Sequence, residues 1–87
     1  FNNYPNPCDP STTISFVLPE AGHVDLAVYD ILGRRVVSLV NSEKSAGQHS
    51  VHWSGRNNVG AVVSSGMYFY RLKVQERSLT QKIIVLR

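Results

Sequence analysis

The side chains able to do chemistry in this sequence are three histidines, a scatter of carboxylates, one cysteine and a Gly/Asn-rich stretch. His49 and His52 are three apart, which on a strand places them on opposite faces, and His23 opens a different segment. No metal-ligand spacing results. Asp9, Asp25 and Asp30 are scattered too widely for a paired-carboxylate mechanism. Cys8 lies among prolines with no basic neighbour to generate a thiolate, and reads as a small buried hydrophobe anchoring the entry segment. No phosphate-binding loop or serine nucleophile elbow is present. Asn57, Asn58 and backbone carbonyls between Ser54 and Gly66 could ligate a cation, but that loop lacks the carboxylate that tight calcium binding needs. Trp53, Tyr68 and Tyr70 could stack on a sugar, yet they fall on faces expected to be core. The sequence carries no catalytic or metal constellation, and none that calls for a cofactor.

The framework is small. Eighty-seven residues, 43% hydrophobic and 17% charged, suffice for one domain and not two. A lone cysteine excludes an internal disulfide. No apolar run reaches the ~20 residues of a membrane helix, so no membrane insertion is expected. The chain opens at Phe1 rather than Met, as expected for a piece of a longer protein. Charge is uneven: from Arg71 to Arg87 five basic residues stand against Glu76 alone. They alternate with apolar residues and form no run, a pattern of solvated strand faces that argues against a nucleic-acid partner.

Apolar periodicity is two throughout. Phe1 to Ser11 holds Pro5, Pro7 and Pro10 and reads as an extended entry loop. Ile14, Phe16 and Leu18 line one face of a strand over 12–18, and Val24, Leu26 and Val28 one face of a strand over 23–30. Gly33 sits in the tight connection to a hairpin partner over 35–40, followed by a polar, turn-like stretch over 41–47. His49, Val51 and Trp53 share a face of the next strand. An irregular loop over 54–66 leads to a strand over 67–74 with Tyr68, Tyr70, Leu72 and Val74 on one side. A polar turn over 75–78 precedes the last strand, 79–87. Six or seven short strands without helical spacing predict an all-β, antiparallel β-sandwich.

The last strand is apolar on both faces through Ile83, Ile84, Val85 and Leu86. Either it is a central strand covered on both sides, or a twist hides Leu86, or its outer face is kept for a partner.

A family resemblance runs through almost the whole chain. Asn3-Tyr4-Pro5-Asn6-Pro7, then Asp9-Pro10-Ser11-Thr12-Thr13-Ile14, Leu18-Pro19-Glu20-Ala21-Gly22 and Val28-Tyr29-Asp30-Ile31-Leu32-Gly33-Arg34 occur in order. Val51-His52-Trp53, Ser65-Gly66-Met67-Tyr68-Phe69-Tyr70-Arg71-Leu72 and the closing Lys82 to Arg87 follow. The ordered set resembles the type A C-terminal sorting domains of the type IX secretion system, and is similar to the immunoglobulin-like domain of flagellar hook-capping proteins. Cys8 stands where that family usually has Phe, Asp9 where it has Asn, and Ser54 where Asp commonly follows the Trp.

The resemblance implies an immunoglobulin-like β-sandwich of about seven strands over 12–87, a single domain with 1–11 as entry segment. It implies a non-catalytic address on a larger secreted parent protein of Bacteroidota and related phyla. Its partners would be the outer-membrane translocon and the sortase-like attachment machinery. Its destination would be the cell surface or extracellular space, through the periplasm. Carried over by position, Pro5, Asn6 and Pro7 belong to the entry motif, Gly33, Trp53, Gly66 and Tyr68 to the frame, and Lys82, Ile84, Val85, Leu86 and Arg87 to the terminal signal strand. A structural immunoglobulin-like spacer and a carbohydrate-binding module are the alternatives.

Overall fold

A computed structural model describes residues 12–85. Six strands follow one another: β1 (Thr12–Leu18), β2 (Gly22–Asp30), β3 (Arg35–Lys44), β4 (Gly47–Trp53), β5 (Gly66–Val74) and β6 (Arg77–Val85). They form two antiparallel sheets, β1-β4 and β3-β2-β5-β6, and no helix occurs among the described residues. The described residues thus supply six strands of the all-β, antiparallel architecture. Pro5, Asn6, Pro7, Cys8, Leu86 and Arg87 lie outside the described residues.

The alternation read from the sequence sets the faces. Ile14, Phe16 and Leu18 of β1 turn inward, as do Val24, Leu26 and Val28 of β2 and Tyr68 and Tyr70 of β5. Ile83 and Val85 of β6, Val40 of β3, Trp53 of β4 and Val63 of the following loop complete the core. Antiparallel register makes this work, because a one-residue slip would turn every one of these side chains to solvent. Burial pushes the Tyr70 phenol pKa above its ordinary value.

Two expectations change. The polar stretch over 41–47 is mostly strand: β3 continues to Lys44, pairing Asn41 with Asp25 and Glu43 with His23, and only Ser45 and Ala46 carry the chain to the other sheet. His23 Nε2 donates to Asn41 Oδ1 at 2.6 Å across this pairing. Second, among the described residues the terminal strand is not central. β6 is an edge strand paired with β5 alone among the described residues, and its turn is only Gln75 and Glu76, with Gln75 at φ 55°.

Core and surface substitutions should separate cleanly in urea unfolding of the full chain. Leu26→Ala, at a fully buried position, is expected to cost about 2–5 kcal/mol. Val17→Ala, at a side chain 69% exposed, should stay within about 0.5 kcal/mol of the parent.

Candidate recognition surface

The larger sheet has one face against the core and one facing outward. Register places Arg35, Tyr29, Phe69 and Lys82 in one row across β3, β2, β5 and β6. Two irregularities in the β2–β3 pairing create the left half of that row. Leu26 faces Val40 and Ala27 faces Ser38, which passes over Leu39; Val28 faces Val37 and Tyr29 faces Arg35, which passes over Val36. Uninterrupted pairing would set Val37 opposite Tyr29. Arg71, one row away, also reaches Tyr29: its guanidinium lies 5.1 Å from the ring centroid and that of Arg35 5.9 Å. Met67 and Ile84, 38% and 40% exposed, pair beside Phe69 and Lys82.

β6 divides by parity. Ile83 and Val85 point into the core and are all but inaccessible, whereas Lys82 and Ile84 stand on the outer face. Of the residues expected to form the terminal signal, Val85 thus anchors the strand rather than meeting solvent. The two-residue connection makes Val74 and Arg77 a hydrogen-bonded pair, so alternation turns the backbone of Ser78, Thr80 and Ile84 toward the outer edge. The opposite edge, β3, is covered differently. Asn58 N donates to Val36 O at 3.1 Å and Ser38 N donates to Asn58 Oδ1 at 3.4 Å, so the 54–66 loop blunts it.

The frame residues cluster where that loop leaves the sandwich. Trp53 is 2% exposed, packs edge-on against Tyr68 at 5.9 Å and 64°, and donates from Nε1 to Arg56 O at 2.9 Å. Tyr68 donates its hydroxyl to Ser64 O at 2.8 Å, just before Gly66 opens β5. With Trp53, Tyr68 and Tyr70 buried, none of these rings presents a face to a sugar.

A family model described as the secretion system C-terminal sorting domain matches residues 2–86. The chain belongs to that family. This is the type IX sorting-domain resemblance read from its motifs, and it makes the chain a C-terminal sorting signal for export across the outer membrane. Among solved structures, dimeric latent PorU from Porphyromonas gingivalis aligns with a TM-score of 0.73 at 23% identity, over 97% of this chain and 9% of that one. FlgD from P. aeruginosa aligns with a TM-score of 0.61 at 23% identity, over 85% of this chain and 60% of that one. Both likenesses show the fold. No curated protein matches at a significant level.

The polar groups of the sorting domain are engaged locally. His49 Nε2 donates to Ser45 O at 2.8 Å while its ring stacks on Phe16, and His52 Nδ1 shares a hydrogen bond with Thr13 Oγ1 at 3.4 Å. The three histidines are not brought together. In the 54–66 loop Asn57 Oδ1 accepts from Val59 N and Ala61 N, so the amide oxygens proposed for a cation already have donors. A cleft of about 600 Å³ between this loop and the β2–β3 turn is lined in part by Asp30, Arg34, Asn57 and Ser65. Asp30 is committed to the turn: Oδ1 accepts from Leu32 N and Arg34 N, and Oδ2 from Arg34 Nε, each at 2.9 Å. Gly33, at φ 84°, supplies the left-handed residue that lets the chain reverse there.

The Arg34 backbone amide, joined by the Arg34 guanidinium and the Leu32 amide, holds the Asp30 carboxyl below its ordinary 3.8 against the opposing effect of desolvation. A depressed folded pKa means stability that is present above the unfolded value and is lost as pH falls through the folded one. Asp30→Ala should therefore be less stable than the parent at pH 7, with the gap closing below pH 3.8. Thermal unfolding of both chains across that range checks it; a gap independent of pH would remove the carboxylate from the account.

Proposed function

We propose that this sorting domain is the cargo-independent, non-catalytic address by which the type IX outer-membrane translocon recognises a larger parent protein. The part read is the outer edge and face of β6 with Leu86 and Arg87. Cleavage then falls in the proline-fixed entry segment around Pro5, Asn6 and Pro7, and the sortase-like machinery attaches the parent at the cell surface. The observation that carries this reading is the parity of β6. Its inward residues Ile83 and Val85 lock the strand to the core, while Ile84 stands 40% exposed on an edge that no described strand covers. An edge strand held rigidly in this way offers main-chain groups for strand addition and an apolar side chain for a pocket. Lys82 and Arg87 add steering toward an acidic groove.

Deleting Lys82 to Arg87 from a periplasmic reporter fused to residues 1–87 should abolish secretion in a type IX-competent host. That deletion also removes core residues, so the deciding variant is Ile84→Glu, which touches only the outer face. It should leave the melting temperature nearly unchanged and strand the reporter in the periplasm. Undiminished secretion of Ile84→Glu would overturn the terminal-strand reading, and undiminished secretion of the deletion would favour a structural spacer.

A further inference from the structure

Tyr29 gathers two guanidinium groups. Arg71 Nη2 donates to the Tyr29 hydroxyl at 3.2 Å and Arg35 Nη2 to the same oxygen at 3.4 Å. Both arginines are exposed, and among the described residues neither reaches a carboxylate at ion-pair distance; the ion pair found there joins Asp30 and Arg34. Two like charges converging on one neutral hydroxyl repel each other, and a bound anion relieves that repulsion. The hydrogen bond to Tyr29 and, more weakly, the charge of Asp25 raise the Arg35 pKa against desolvation.

We propose that this outer face is a carboxylate-binding site for an acidic, extended segment of a partner polypeptide. Arg35 and Arg71 form a double fork for one acidic side chain, oriented by stacking on Tyr29. The surroundings select the source of the carboxylate. Phe69 lies directly across from Tyr29, and Met67 and Ile84 continue the same face one side-chain step along the strands. Lys82 flanks them; in the other direction, past Arg71, Lys73 lies across from Asp25, with Glu43 one step further. A cationic fork beside an apolar patch on a flat sheet matches a strand-like peptide whose acidic and apolar residues fall on one side. Free phosphate would use the fork and leave Phe69, Met67 and Ile84 without a partner. The inference stands apart from the translocation reading, because binding is measured on the purified chain without secretion machinery, so either can fail alone.

The test titrates the full 87-residue chain with a capped peptide alternating glutamate and leucine, followed by NMR at the Tyr29 ring and the Arg35 and Arg71 Nε–H groups. Saturable shifts at all three are expected, weakening as salt rises, with no response to the lysine–leucine counterpart. Arg35→Gln and Arg71→Gln should each weaken binding by about tenfold or more, the loss of a charge-assisted hydrogen bond. Arg71→Lys, which keeps the charge and loses the fork, should fall between, and melting curves of the three variants verify that they fold. An absent or non-saturating response overturns the proposal. So does phosphate binding as tightly as the peptide at equal ionic strength, or folded glutamine variants that bind like the parent.

Discussion

The contact of Trp53 with Tyr68 holds the two sheets together at the end where the 54–66 loop leaves the sandwich. A two-stranded sheet such as β1-β4 is marginal by itself and persists because one face packs on a larger sheet. Trp53 ends β4, in register with Thr12, while Tyr68 lies in register with Asp30 on one side and Ile83 on the other. One edge-on aromatic pair therefore ties β1, β4, β2, β5 and β6 at a single level, and such pairs add about 0.5–1.5 kcal/mol beyond their buried area. The Trp53 indole N–H then bonds to Arg56 O, which fixes where the 54–66 loop begins and allows Asn58 to reach the β3 edge.

From that constraint follows a division between the two faces of the larger sheet. The inner face is closed by the smaller sheet and takes the apolar residues of even parity in β2 and β5. The outer face has no covering layer among the described residues, yet it is not uniformly polar. Ala27 is buried there by its neighbours, Tyr29 and Phe69 are half-buried, and arginines lie along the aromatic row. Long cationic side chains with apolar stems cover such rings while keeping their charge in water. The edges are also treated unequally, with β3 blunted by a loop and β6 left without a described neighbour.

Much of this was legible as alternation, because residues such as Ile14, Phe16, Leu18, Val24 and Leu26 carry their face in their spacing. The length of β3 was not. Asn41, Ser42 and Glu43 have poor strand propensity, and they are strand because β2 offers partners through His23 and Asp25, a tertiary effect that overrides local preference. The position of β6 was ambiguous for a different reason. Apolar residues on both faces suit either a covered central strand or an edge, and only the strand order decides between them. The grouping of Arg35 with Tyr29 and Arg71 was out of reach, since it depends on two register shifts in β3 that no periodicity announces. The terminal motif marks 82–87 as a block, and among its described members the structure separates Lys82 and Ile84 from Val85 by side.

Under the proposed terminal-strand reading, that separation bears on how a signal can be both rigid and readable. A segment that must be recognised on unrelated cargoes cannot take its shape from the cargo, so its own domain has to hold it. In β6 the odd positions Ile83 and Val85 supply the hold, and the even positions 82 and 84 face away from it. Because side chains alternate strictly along a strand, neither set can take over the other's task without a register slip that would also empty the core. Apolar residues on both faces are therefore what the two demands together require, and Ile84 is the residue whose exposure the core does not explain.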